Sequence, residues 1–327
     1  MREIQFRDAI KEAMSEEMRR DKDVFLLGEE VAEYNGAYKA SQGMLDEFGK
    51  DRVIDTPISE LGFSGIAVGA AINGLKPIVE YMTFNFSLVA IDQIINVAAK
   101  IMSMSGGQYS CPIVFRGPTG NAGQLGAQHS SNFENWYANT PGLKVVIPSN
   151  PYDAKGLLKS AIRDPDPVIF MESEVMYGDK AEVPEGEYLI PIGKASVVEK
   201  GSDVTIVSFG KMIPRVVLPA VEALKKEGIH AEVIDLRTVR PIDYATIVES
   251  VKKTNRCVVV EEGPPLAAIS SEISYHLQRN AFDYLDAPVI RVNSMDIPLN
   301  YASTLIEATL PNEKRVIAAV KEVMYKK

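Results

Sequence analysis

The chain has 327 residues, 46% of them hydrophobic and 24% charged, which is an ordinary globular composition and enough length for two domains of usual size. A net charge of -9 gives no basic face for nucleic acid or an anionic membrane surface, and no apolar run of ~18 residues is available to cross a bilayer. Three histidines and two scattered cysteines, Cys111 and Cys257, argue against a zinc cluster and for buried free thiols in a reducing compartment.

The elements alternate from the first residues. The opening stretch, MREIQFRDAIKEAMSEEMRR, places Phe6, Ile10, Ala13, Met14 and Met18 near helical spacing. It is rich in acids and has no signal-peptide core, so the cytoplasm of a bacterium is the expected location, or the mitochondrial matrix for a processed eukaryotic chain. Val24 to Leu27 reads as a buried strand, VIDTPIS as strand and turn, and residues 62 to 74 as a buried helix of small residues. KPIVEYM is a further strand, Ser87 to Met104 a long helix, and PIVF, KVVIP and PVIFM are strands around a helix from Tyr152 to Arg163. Strands alternating with helices predict a mostly parallel sheet with helices on both faces.

Gly, Pro and charge interrupt the pattern between residues 178 and 191. A first domain over 1–177, a linker over 178–191 and a smaller α/β domain over 192–327 follow. The second domain repeats the alternation in DVTIVSFG, a helix from Pro214 to Lys226, HAEVIDL, a helix from Tyr244 to Lys253, RCVVVEEG, a helix around Ile269 to Arg279, and APVIRV.

The familiar α/β signatures are missing: no G-x-G-x-x-G, no Walker lysine loop and no G-x-S-x-G elbow. Three other stretches carry chemistry, each at the carboxyl end of a predicted strand, where open α/β sheets bind ligands. Glu60 follows an apolar strand and opens the small-residue helix. It is either a helix-terminal acid behind a Ser59 cap or a buried carboxyl with a raised pKa. In EYMTFNFS, an extended chain would align Met82, Phe84 and Phe86 on one face, as a clamp for a flat heteroaromatic ring or as plain core. The stretch RGPTGNAGQLGAQHSSNFENWY, residues 116 to 137, reads as a long glycine-rich loop. It carries His129, either an acid-base group or a solvated side chain.

At these residues a resemblance emerges. DTPISELGFSGIAVGAA, EYMTFNFSLVAIDQIINVAAK, FRGPTG, AQHSSNFENWYANTPGLKVVIPSNPYDAKGLLKSAIRDPDP and VVVEEG resemble the β subunits of the E1 component of 2-oxo acid dehydrogenase complexes, nearest the pyruvate group. The likeness runs over nearly the whole chain. It implies a transketolase-like pyrimidine-binding domain, then a transketolase C-terminal domain, and thiamine diphosphate chemistry in an α2β2 heterotetramer with an E1 α subunit.

The same resemblance assigns residues. It makes Glu60 the carboxyl presented to N1' of the cofactor's aminopyrimidine, and places Ile58, Met82 and Phe86 around that ring. His129 falls near the 2-oxo acid substrate and the incoming lipoyl group of the dihydrolipoyl acyltransferase (E2). A structural potassium ion is implied beside Ile113, Ala161, Ile162 and Asp164, with Asp166 standing where relatives often have Asn. The G-D-G motif with its later Asn, which holds Mg2+ and pyrophosphate in thiamine enzymes, is missing, so the α subunit is expected to supply that half of the site. Acetoin or branched-chain 2-oxo acids are alternative substrates, and a non-catalytic scaffold is the remaining reading. Gly65 and Gly69 fit either close packing inside the chain or contact with another subunit.

Overall fold

A computed structural model describes residues 1–326. The chain divides into two compact units: Met1–Thr119 with Trp136–Ile192, and Gly120–Asn135 with the residues from Gly193 onward. The division shows that the glycine-rich loop, expected with the first domain, clusters with the second unit.

The first unit is built on parallel strands in the order Lys144–Val146, Val168–Glu172, Val114–Pro118, Lys76–Glu80, Val24–Gly28 and Val53–Asp55. Val114–Pro118 and Val168–Glu172 are buried at every position, as strands covered on both faces must be. The amino-terminal helix, Phe6–Arg20, buries Phe6, Ile10, Met14 and Met18 along one side. It packs against Pro151–Arg163, whose first turn is capped by Asn150 accepting from the Asp153 amide at 2.9 Å. Ion pairs line that contact: Lys155 with Glu16 at 2.7 Å, Lys159 with Glu16 at 2.6 Å and Arg163 with Glu17 at 2.7 Å.

In the second unit the order is Ile290–Val292, Cys257–Val260, Val204–Ser208, Ala231–Asp235 and Ser196–Glu199, parallel except for the last. Asp243 caps the helix Tyr244–Thr254, and Asn255 ends it in the left-handed conformation with φ 59°. Both cysteines are free and buried, and burial pushes each thiol up to about 12.

Two expectations fail locally. The helix predicted from Ser87 to Met104 is three short pieces: a 3-10 turn Phe84–Leu88, a π turn Gln93–Ala98 and an α turn Ile101–Met104. Tertiary bonds override the periodicity there, since Ser87 Oγ lies 2.6 Å from Tyr137 Oη and also donates to the Phe84 carbonyl. The small-residue helix, Glu60–Ile72, is buried on one side only. Ile66 is 71% exposed, and a Cβ built on Gly69 would meet no atom of this chain within 4 Å.

Candidate active site

Three neighbouring parallel strands of the first unit deliver carboxyl groups to one edge. Val24–Gly28 is followed by Glu29, Lys76–Glu80 ends on Glu80, and Val53–Asp55 leads through a short turn to Glu60. Close backbone approach at this edge explains Gly28, where a Cβ would lie 2.5 Å from the Glu80 carbonyl oxygen. The turn is pinned by the Thr56 amide donating to the Gly28 carbonyl at 2.9 Å. Asp55 accepts from the amides of Ala32 and Glu33 at 2.7 and 3.0 Å.

Glu60 is the first residue of its helix and only 6% exposed. Ser59, the N-cap, makes no side-chain cap bond, so the capping explanation loses its donor-acceptor pair. Ser64, one turn on, meets Tyr81 Oη at 2.7 Å and fixes the helix to the sheet.

Beside Glu60 stands a second buried carboxyl that sequence reading missed. Burial, then the negative charge of Glu60 and the hydrogen bond shared with it, push Glu29 up to about 7, against the pull of the Met82 backbone amide. Glu29 Oε1 is buried with no hydrogen-bond partner. The cation that would settle these acids is spent elsewhere. Arg116, fully buried, makes a two-pronged bond to Glu172 at 2.6 and 2.7 Å and also pairs with Glu80. Tyr177 Oη donates to the same Glu172 at 2.7 Å. The only available hint of Glu29 was the run LLGEE, two acids at the end of an apolar strand.

The other predicted residues fall as follows. Met82 and Phe86 are half-buried, Met82 sharing its amide with Glu29, while Ile58 is 83% exposed on the turn before Glu60. The extended clamp is corrected. Residues 84 to 88 form a 3-10 turn, and Phe84 leaves the shared face for the core, edge-on to Tyr81 and Tyr137 with centroids 5.5 Å away in each case. His129 ends a short turn, Ala127–His129, on the loop that clusters with the second unit.

Around the suggested potassium site, the Ile113 carbonyl accepts from Val168 and the Ala161 carbonyl from Asp164. Lys144 Nζ occupies the carboxylates of Asp164 at 2.7 Å and Asp166 at 3.0 Å. One lysine thus offsets one of the two negative charges, and carbonyl lone pairs remain for an ion.

A carboxyl pair thus stands at the carboxyl edge of a parallel sheet, with apolar side chains beside it. Comparison with known proteins gives the chain its family. Residues 2–180 match the family described as transketolase, pyrimidine binding domain, and residues 193–316 match transketolase, C-terminal domain.

Among full-length relatives, the pyruvate dehydrogenase E1 component subunit beta of Rhizobium meliloti is 56% identical over 98% of this chain and 70% of its own length. That of Rickettsia felis is 54% identical over 99% of both, and the mitochondrial beta-1 subunit of rice is 53% identical over 99% of this chain and 88% of its own length. A solved chain titled "Split gene transketolase, inactive beta4 tetramer" superposes with a TM-score of 0.79 at 22% identity over 99% of both chains, a likeness of fold. The chain belongs to the family of pyruvate dehydrogenase E1 component β subunits. These relatives are both bacterial and mitochondrial, and no helix among the described residues is long and apolar enough to cross a membrane.

Proposed function

We propose that this chain is the catalytic β subunit of a thiamine-diphosphate-dependent pyruvate dehydrogenase E1, completed by an α subunit that holds Mg2+ and the pyrophosphate. The observation that carries this reading is the buried Glu60–Glu29 pair, with one orphaned oxygen and one carboxyl near neutrality. Thiamine diphosphate, when bound, supplies the electron sink that lets a 2-oxo acid lose carbon dioxide.

The chain's own residues supply the rest. Glu60, desolvated at the mouth of its helix, would present its carboxyl to a ring nitrogen of the bound cofactor. Glu29, pushed up to about 7, is still partly protonated near neutral pH and in that form can donate a hydrogen bond to Glu60. Met82, Phe86 and Ile58 offer apolar surface to the ring faces, and burial of the exposed Ile58 by ring and partner accords with its place on the turn. His129 orients the substrate or the lipoyl group of E2 during acyl transfer. The exposed apolar strip of the helix Glu60–Ile72, with open space at Gly69, suits a neighbouring helix of an α2β2 assembly. The carbonyls of Ile113, Ala161 and Ile162 are the oxygen set for potassium, with Asp164 and Asp166 committed to Lys144.

Glu60→Gln in the enzyme reconstituted with its α subunit tests the assignment. The expected loss in pyruvate decarboxylation is about 10²- to 10⁴-fold with assembly intact, the usual span for a positioned acid-base group. A parental rate would return the chain to the scaffold reading.

A further inference from the structure

The loop that carries His129 is held by groups for which the active-site reading has no use. Lys211 lies just beyond the strand Val204–Ser208 and Glu262 just beyond Cys257–Val260, and these strands are paired neighbours in the second sheet. Both side chains are buried, and they pair at 2.7 Å. Lys211 Nζ donates to the Asn121 carbonyl at 2.5 Å, while Glu262 Oε1 accepts the Asn121 amide at 2.8 Å. One peptide segment is therefore gripped through its donor and its acceptor together. Asn132 Nδ2 reaches Glu262 Oε2 at 3.5 Å and Glu134 Oε1 at 3.0 Å, and the Gly120 amide donates to the Ser131 carbonyl at 3.1 Å. The same carboxylate thus touches both feet of the loop, at Asn121 and Asn132.

The loop needs such help. Gly120, Gly123 and Gly126 all have positive φ, so the free segment has much backbone entropy to lose. At Gly120, with φ +73°, a Cβ would fall 2.7 Å from Glu262 Oε2, which leaves room for glycine alone against the pair.

We propose that Lys211 and Glu262 are positioning residues for the reaction: their ion pair clasps both feet of the loop and thereby fixes His129. The proposal rests on the reading of His129 as a group that orients substrate or lipoyl. Two more bonds run from the loop to the rest of its unit, Gln124 to the Tyr301 carbonyl at 3.2 Å and Asn135 to the Ala267 carbonyl at 3.1 Å.

The test uses the reconstituted enzyme with Lys211→Met, Glu262→Gln, the conservative Lys211→Arg and, as reference, His129→Ala. Amide hydrogen exchange is followed at residues 120–132, and kcat and KM are measured with a lipoylated acceptor domain. In Lys211→Met and Glu262→Gln, loop exchange should rise about tenfold or more while the strands Val204–Ser208 and Cys257–Val260 keep their protection. The kcat of both should fall toward that of His129→Ala, by about tenfold, with little change in KM, and should fall no further when combined with it. Lys211→Arg should restore protection and turnover to within about threefold, since charge and donors are kept. Unchanged loop exchange overturns the clasp. Raised exchange with parental kcat, where His129→Ala is impaired, overturns its positioning role. Parental turnover in His129→Ala itself would instead remove the reading of His129, and with it the catalytic half of this proposal.

Discussion

Both large sheets of the protein end parallel strands on acidic residues, yet the two ends are settled differently. At the carboxyl edge of the first sheet stand Glu29, Glu60, Glu80 and Glu172, and Arg116 gives its bonds to Glu80 and Glu172. Glu29 and Glu60 are hydrogen-bonded to each other. At the edge of the second sheet, Glu261 accepts the amides of Ile269 and Ser270 at 3.2 and 2.8 Å, and Glu262 has Lys211 and Asn121. Its neighbour Glu134, pushed up to about 7 by burial, still accepts from Asn132. The difference teaches how one architecture serves two ends. Where every acid is satisfied the edge is a fastening, and where one is left unmet the edge is a place for a ligand.

The largest effect should come from removing the cation that Glu80 and Glu172 share. Arg116→Met keeps most of the volume but strands Glu80 and Glu172 in a dry interior, a change that costs about 3–5 kcal/mol for buried pairs. Urea unfolding should show a loss of that order at pH 7.5. The loss should shrink at pH 5, because Glu80, already raised by burial, can then take up a proton in the native state. A loss that is equally large at both pH values would mean that packing, rather than stranded charge, is what Arg116 provides.

Glu29→Gln sharpens the contrast with a smaller effect of opposite sign. The native carboxyl holds its proton up to about 7, whereas an ordinary glutamate releases it near 4.5. Between those values the native state binds more protons than the unfolded chain, so this group's contribution is full below pH 4.5 and lost as pH rises through 7. The amide of Gln mimics the protonated form at every pH. The variant should therefore gain on the parent between pH 4.5 and 7 and stay ahead above it, by about 1–2 kcal/mol once solvent screening is allowed for. Parallel stability profiles for variant and parent would show that the pair does not share a proton.

What could be read in advance follows the same division. Continuous apolar runs such as Val204–Ser208 are local signals, and the strands they announce are present. Glu60 was visible because an acid at the start of a small-residue helix is an anomaly in one stretch of chain. Glu29 was not, since its significance depends on which strand lies next to which, and strand order is not written in periodicity. The break at Phe84 was hidden for a similar reason: Tyr81 and Tyr137, contributed from other elements, draw that ring inward. The clasp on the His129 loop needs Asn121, Lys211 and Glu262 together, three residues with no spacing rule between them.

The smallest expected change tests the satisfied end of the comparison. Glu261 follows its strand directly and spans the first turn of the helix Ile269–Ala281, whose N-cap Ala268 has no side-chain acceptor to offer. Its two oxygens replace that missing cap, each taking one amide, and its charge faces the positive end of the helix. Burial raises its pKa while those amide bonds oppose the rise, and satisfied in this way the group gains nothing from a bound ring or ion. Glu261→Gln keeps one acceptor oxygen, replaces the other by a donor that confronts an amide, and removes the charge. The cost should be about 1 kcal/mol in urea unfolding, read also as faster exchange of the Ile269 and Ser270 amides, with decarboxylation by the assembled enzyme unchanged. A drop in turnover without a drop in stability would show that this edge, too, reaches the chemistry, and the distinction between fastening and ligand edge would fail.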